Sequence, residues 1–579
     1  MDSKILGRMT LRKLTKRLLG GLTVAYLVKD SLNADTDPGV LSILFKALTA
    51  LRALVELRRK KYARACMLSL FLFKVKVGER GNSQTVYQML TDYVRYGWIG
   101  GTYNLPPDMR SNGASTAILK YSIWERHKVS REVASKVGPI YAQRGFNRMF
   151  VFVSDTKMVE QVMLDKEAFP SRGETGITDL VGKGLLGAPS GEMHTQHRRI
   201  VGSFFSNKWL SHYADVIETE TQVLVDKWKK LCAENTPTGD AEKTNITYDL
   251  SMVTLQVIMH ACVGNSGAED GGNQQFIPEK DNHEQHALDS ALKEVTIATA
   301  LPFMKYLPSP AHRHKNGSYA AMWKRAIGRA KEIALNPNSP MMIHTALRDA
   351  RNKDGSEALT EEEVLDELNT VRAAGHETTS NTLAWAMLLL VQHPEVAVKL
   401  REEVDAVVQG TTVTFEESKQ LPYTHMIIWE TLRLYPTVPS FPREAAQDVE
   451  IAGYDVPKGS LVFVCQSPMN RNPAIWPNPD KFDPDRFQKL PELKPSKPVG
   501  VPDGEKFGFI PFGAGNRTCI GQRLAMLEAA QILACVAKNF TWEIADPKAR
   551  INEVVDITLG PKDGLFMKFK SRGDTTIQA

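Results

Sequence analysis

The chain is poor in cysteine for its length: Cys66, Cys232, Cys262, Cys465, Cys519 and Cys535 are all that 579 residues contain. They fall at distant, irregular spacings without a Cys-x-x-Cys pair. That excludes a disulfide framework and a cysteine-rich zinc site, and favours a reduced, intracellular setting. A clean membrane span near the start is also missing. The apolar runs at 18–28, 40–45 and 65–73 are each interrupted by charge before reaching the roughly 18 residues that a crossing helix needs. No internal repeat is present, which excludes solenoids and propellers.

What is there is globular in composition, 42% hydrophobic and 24% charged, with length enough for a large core. Charge is unevenly placed. Residues 1–80 hold 17 Lys plus Arg against 6 Asp plus Glu, a net of +11; the whole chain carries +6, so the remainder carries −5. Leu11, Leu14, Leu18 and Leu22 recur at helical spacing beside Arg8, Arg12, Lys13, Lys16 and Arg17, the pattern of a basic amphipathic helix lying on a membrane surface. The interleaved apolar residues argue for membrane and against nucleic acid as the partner. An Arg-rich, acid-poor start also fits a transit peptide for mitochondrion or plastid.

The stretch 105–113, with its Pro-Pro and Asn-Gly signals, reads as a hinge. The organisation expected is a membrane-associated or targeting segment over 1–115, a catalytic body over 116–571 and a polar tail over 572–579. Residues 150–154 read as a strand and 246–264 as a core helix. Residues 265–285, rich in Gly, Asn, Asp, Glu and Gln, read as an exposed insertion.

Three strings carry chemistry. Cys519 stands in the glycine-rich loop Pro511 to Gly521, which runs into the helical pattern Gln522 to Glu528; such a loop supplies the N–H donors and helix N-terminus that stabilise a thiolate. Ala374-Gly375-His376-Glu377-Thr378-Thr379 lies within a long helical pattern that opens at Thr360, although a mid-helix glycine costs about 1 kcal/mol against alanine. Glu430 and Arg433 share a helix face, and Pro484-Asp485-Arg486-Phe487 follows. In this order and spacing the three resemble the cytochrome P450 family, whose cysteine loop reads Phe-x-x-Gly-x-Arg-x-Cys-x-Gly.

The resemblance implies a mainly α fold with small β-sheets, an α+β class, holding haem b on a thiolate. Cys519 would be the iron ligand, Phe512 its shield, Gly513 and Gly521 the points of close approach, and Arg517 a propionate partner. Arg443 matches a second propionate position. Arg198 matches a third, with His194 standing where the family usually has tryptophan. Glu377 and Thr378 would organise a proton and water relay, while Gly375 would let the helix widen for dioxygen. His376, at the variable position of that motif, receives no role. Glu430, Arg433 and Arg486 would be structural, and Thr370, Ala373, Thr437, Val438 and Phe441 would line an apolar pocket.

The activity implied is a monooxygenase acting on a lipid, sterol, terpenoid or xenobiotic. A haem-thiolate isomerase or dehydratase and a non-catalytic haem module are the alternatives. No nucleotide-binding glycine motif follows the cysteine loop, so electrons must come from a separate reductase. Met426, Ile427, Ile428 and Trp429 stand where mitochondrial members carry basic residues. That favours NADPH–cytochrome P450 reductase, with cytochrome b5 as an additional donor, at the endoplasmic reticulum.

Overall fold

Alternation builds the first sheet. Met149–Val153 buries every second residue, as a strand covered on one face must. The computed structural model describes residues 104–108, 112, 125–144, 148–173, 177–234, 243–264, 317, 324, 327, 342–352, 354–489 and 506–572. The basic amphipathic segment, the insertion at 265–285 and residues 573–579 lie outside these.

Strands β1 (Ile140–Arg144), β2 (Met149–Val153), β3 (Ser440–Glu444) and β4 (Leu461–Cys465) form one mixed sheet in the order β1-β2-β4-β3. The two outer pairs are antiparallel and β2 runs parallel to β4, with Val151 opposite Val462. The start of the 105–113 stretch lies along this sheet: the Ala142 N–H donates to the Pro107 carbonyl at 2.8 Å. Val151, Val153, Val462 and Val464 face Val159, Val162 and Met163 of helix α1 (Thr156–Leu164), closing a small core. Helix α1 starts at Asp155, whose carboxylate accepts the N–H groups of Lys157 and Met158, a standard N-cap arrangement.

The larger core is helical. Helices α2 (Glu192–Ser203), α3 (Asn207–Glu234), α4 (Ile246–Val263), α5 (Glu361–Gly375), α6 (Glu377–Gln392), α7 (Pro422–Leu434) and α8 (Gln522–Asn539) contribute most of it. Helix α4 is long and apolar enough to cross a membrane, but most of it is buried inside the protein, so it is a core helix. Its Asp249 accepts from Trp228 Nε1 at 2.8 Å and Lys227 Nζ at 2.6 Å, which satisfies the one carboxylate on its buried face. Thr360 opens α5 with a capping box shared with Glu363, as its Thr-x-x-Glu spacing dictates. The single helix expected from there to Pro394 is interrupted at His376 into α5 and α6.

Helix α7 is fastened from its polar side. Both carboxylate oxygens of Glu430 accept from Arg433, at 2.7 and 2.8 Å, and Glu430 Oε1 also accepts from Arg486 Nε at 3.1 Å and the Asp483 N–H at 2.8 Å. Arg433 spends its remaining donors on the carbonyls of Asn470, Pro479 and Lys481. Glu430 and Arg433 are both fully buried, so their charges are held by each other and by backbone. At the far end of the body, Arg572 pairs with Asp405 at 2.6 Å. Arg433→Ala is expected to cost about 3–5 kcal/mol of stability, the usual penalty for removing one partner of a buried ion pair. Equilibrium denaturation measures it, and a loss at the level of an exposed pair, under about 1 kcal/mol, would show the network to be peripheral.

Candidate haem site

The cysteine loop owes its shape to two left-handed glycines. Gly513 and Gly515 both have φ +71°, and a Cβ on Gly515 would stand 2.3 Å from the Met163 carbonyl oxygen, so only glycine lets the loop lie on helix α1. The Cys519 N–H donates to the Phe512 carbonyl at 2.9 Å, closing the loop. The Phe512 ring stands edge-on to Trp429 of α7, centroids 5.8 Å apart. Gly521 caps α8, so the thiol sits at that helix's N-terminus, where N–H dipoles favour negative charge.

Cys519 is exposed. Surrounding protein pushes the thiol up; the N–H groups of Gly521 and Gln522 and the charges of Arg198 and Arg172 pull it back toward thiolate. A bound metal cation would tip that balance to thiolate outright.

Around the thiol the structure gathers cations. Arg198 on α2, Arg443 on β3, Arg517 in the loop and Arg172 after α1 perturb one another. Arg443 and Arg517 are buried, and each is lowered to about 10, first by burial and then by a neighbouring guanidinium. Among the described residues, no carboxylate pairs with any of the four. Their hydrogen bonds go instead to neutral groups: Arg517 donates to the Ala188 carbonyl at 3.1 Å and Ser190 Oγ at 2.7 Å, Arg443 to the Pro442 carbonyl, and Arg172 to the carbonyls of Leu186 and Arg517. Arg517 Nε and Nη1 have no partner.

His194 completes the cluster. It is buried, its Nε2 is without a hydrogen bond, and its pKa falls to about 3 through burial, then through Arg517, Arg172 and Arg198. It is therefore a neutral imidazole, able to offer one N–H. Buried like charges and unpaired donors are costly unless an anion answers them. Two carboxylates carried on a planar group bound by Cys519 are such an anion. The residues fit a haem: Cys519 would hold iron, and the four arginines with His194 would hold the propionates.

The second motif surrounds the interruption at His376. The Thr378 hydroxyl donates to the Ala374 carbonyl at 2.9 Å. Ala374 is exposed, and Ala373, Glu377 and Thr378 are half-buried, whereas Val371, Arg372 and His376 are buried, so one face of the helix is open. Gly375 serves packing, since a Cβ there would stand 2.5 Å from Ile258 Cγ1 of α4.

A model of the family Cytochrome P450 matches residues 116–567. The chain belongs to the cytochrome P450 family. Cytochrome P450 4V2 of Rattus norvegicus is 26% identical over 475 residues, covering 79% of this chain and 85% of the relative. Cytochrome P450 714C2 of Oryza sativa subsp. japonica is 26% identical over 445 residues, 75% and 80% respectively. A protein of Sus scrofa named taurochenodeoxycholic 6 alpha-hydroxylase is 29% identical over 405 residues, 67% and 76%. This P450 is accordingly a haem-thiolate oxidoreductase of the monooxygenase class, with the α+β fold of its family.

Of the residues expected to line its pocket, Thr370 is buried against Gly184, and its hydroxyl has no partner. Ala373 packs with the helical core. Thr437 and Val438 give their carbonyls to the Leu559 N–H and the Gln466 side chain. Phe441 is set apart from the helical core, packing with the small-sheet core near Gly513. Arg172 escaped sequence reading because Ser171-Arg172-Gly173 resembles any loop. Haem transfer to an apoglobin is expected to quicken about 10- to 100-fold in Arg172→Ala, the value of a charged hydrogen bond, and less in His194→Ala. Parental rates in Arg172→Ala would remove it from the cradle.

Proposed function

We propose that this P450 inserts one atom of dioxygen into a C–H or C=C bond of an apolar lipid, sterol, terpenoid or xenobiotic. Electrons come from NADPH–cytochrome P450 reductase, with cytochrome b5 as an additional donor, and the enzyme works at the endoplasmic reticulum membrane. The cofactor is haem b. Bound haem supplies oxygen activation and transfer, chemistry that belongs to the cofactor; the chain supplies the rest.

The observation that carries the reading is the open helix face at the interruption. Thr378 Oγ1 gives its proton to the Ala374 carbonyl at 2.9 Å, which leaves the oxygen's lone pairs to accept from a water on the open side. Glu377 stands next to it at the start of α6 as a carboxylate that can pass protons to that water. Reduction of the second oxygen atom to water consumes protons, so a hydroxyl and a carboxylate on this open helix face meet a requirement of the reaction.

Two further supports bear on substrate and place. The pig relative's name denotes a hydroxylase of taurochenodeoxycholic acid, which favours hydroxylation and the sterol or lipid part of the range. The basic, apolar first 80 residues suit an interfacial anchor.

Thr378→Ala is expected to keep haem and to bind the same ligands, but to release more peroxide for each NADPH consumed. Parallel assays of NADPH, peroxide and product check it. Unchanged coupling would take Thr378 out of proton delivery.

A further inference from the structure

The interruption between α5 and α6 is held from a third helix. The Thr254 hydroxyl of α4 donates to the His376 carbonyl at 2.8 Å, in a fully buried position. The same hydroxyl stands farther, at 3.2 Å, from the Ser251 carbonyl of its own helix, the usual partner of a mid-helix threonine. One turn further along α4, Ile258 occupies the space beside Gly375. Two successive turns of α4 thus face the two residues at which the helix breaks.

His376 secures the same point from within. Its ring Nδ1 lies 3.0 Å from the Arg372 carbonyl, and the residue is 1% exposed. Burial and Arg372 lower the imidazole to about 4, so it is neutral, and the carbonyl contact fixes the tautomer with hydrogen on Nδ1. The ring caps the last turn of α5 much as a side chain caps a helix end. On the other flank of Glu377 and Thr378, buried Thr379 lies beside the buried Glu528 of α8.

We infer that Thr254 and His376 are positioning residues, holding the helix interruption so that Glu377 and Thr378 stay on the open face. Both are buried and act through the backbone at residue 376. The inference rests on the role proposed for Thr378. A hydroxyl given to a carbonyl contributes roughly the net value of one hydrogen bond, enough to shift two helix geometries by about two- to tenfold.

The test uses the full-length haem protein with purified reductase and no added substrate, and carbon monoxide as the probe of the haem surroundings. Thr254→Val removes the hydroxyl at near-constant shape. It is expected to move or split the infrared C–O band of the reduced carbon monoxide complex and to raise peroxide released per NADPH by about two- to tenfold. Thr254→Ser should restore both. If valine's second methyl prevents folding, Thr254→Ala takes its place with the same expectation.

A valine or alanine variant that keeps the parental band and peroxide ratio overturns the inference, even if its melting temperature falls, whatever Thr378→Ala does. A shifted band in Thr254→Val beside an unaltered peroxide ratio in Thr378→Ala supports the positioning role, and removes the proton-delivery reading alone.

Discussion

Uncompensated positive charge beside a single thiol is the constraint on which the rest of this molecule depends. Arg172, Arg198, Arg443 and Arg517 converge around Cys519 from four separate places in the chain, with no carboxylate among the described residues to answer them. Folding alone does not favour such a gathering, because buried like charges repel and lose their hydration. It becomes favourable once a dianionic group is bound, when each guanidinium gains a charge-assisted partner. Cofactor binding and the stability of this region are on that account one equilibrium.

Each surrounding element serves that convergence. The mixed sheet sets Arg443 on a strand beside Val462. Helix α2 carries His194 and Arg198 one turn apart, on a face turned to the loop. The Glu430–Arg433–Arg486 network fixes α7, and α7 supplies Trp429 to brace Phe512. Helices α4 and α8 pack on the residues flanking Glu377 and Thr378, Thr254 through a hydrogen bond to the His376 carbonyl. A braced cysteine loop and a helix interruption held from two neighbouring helices are each preorganised, as catalysis requires.

How much of this was legible in the sequence follows from distance along the chain. The Cys519 loop is contiguous, and its glycines, arginine and following helix can be read together, as can the helix start at Thr360 and the strand at 150–154. Arg172 could not be found this way. Nothing local distinguishes it, and its meaning arises when it meets Arg517, 345 residues later, at a backbone carbonyl. The motif around Gly375 was visible, but the glycine's close contact with Ile258 on a distant helix was not. His376 looked like a spacer for the same cause, since its carbonyl partner Thr254 lies 122 residues away. Residues that act through tertiary contact carry no local signature.

The central claim is that Cys519 binds haem iron as a thiolate inside this cationic cradle. The most direct measurement is the absorption spectrum of the reduced, folded protein with carbon monoxide, recorded beside Cys519→Ser. The account predicts the strongly red-shifted Soret band of a thiolate complex in the parent and its loss in the variant. An imidazole-type Soret band in the folded parent, or a red-shifted band that survives in Cys519→Ser, would contradict it.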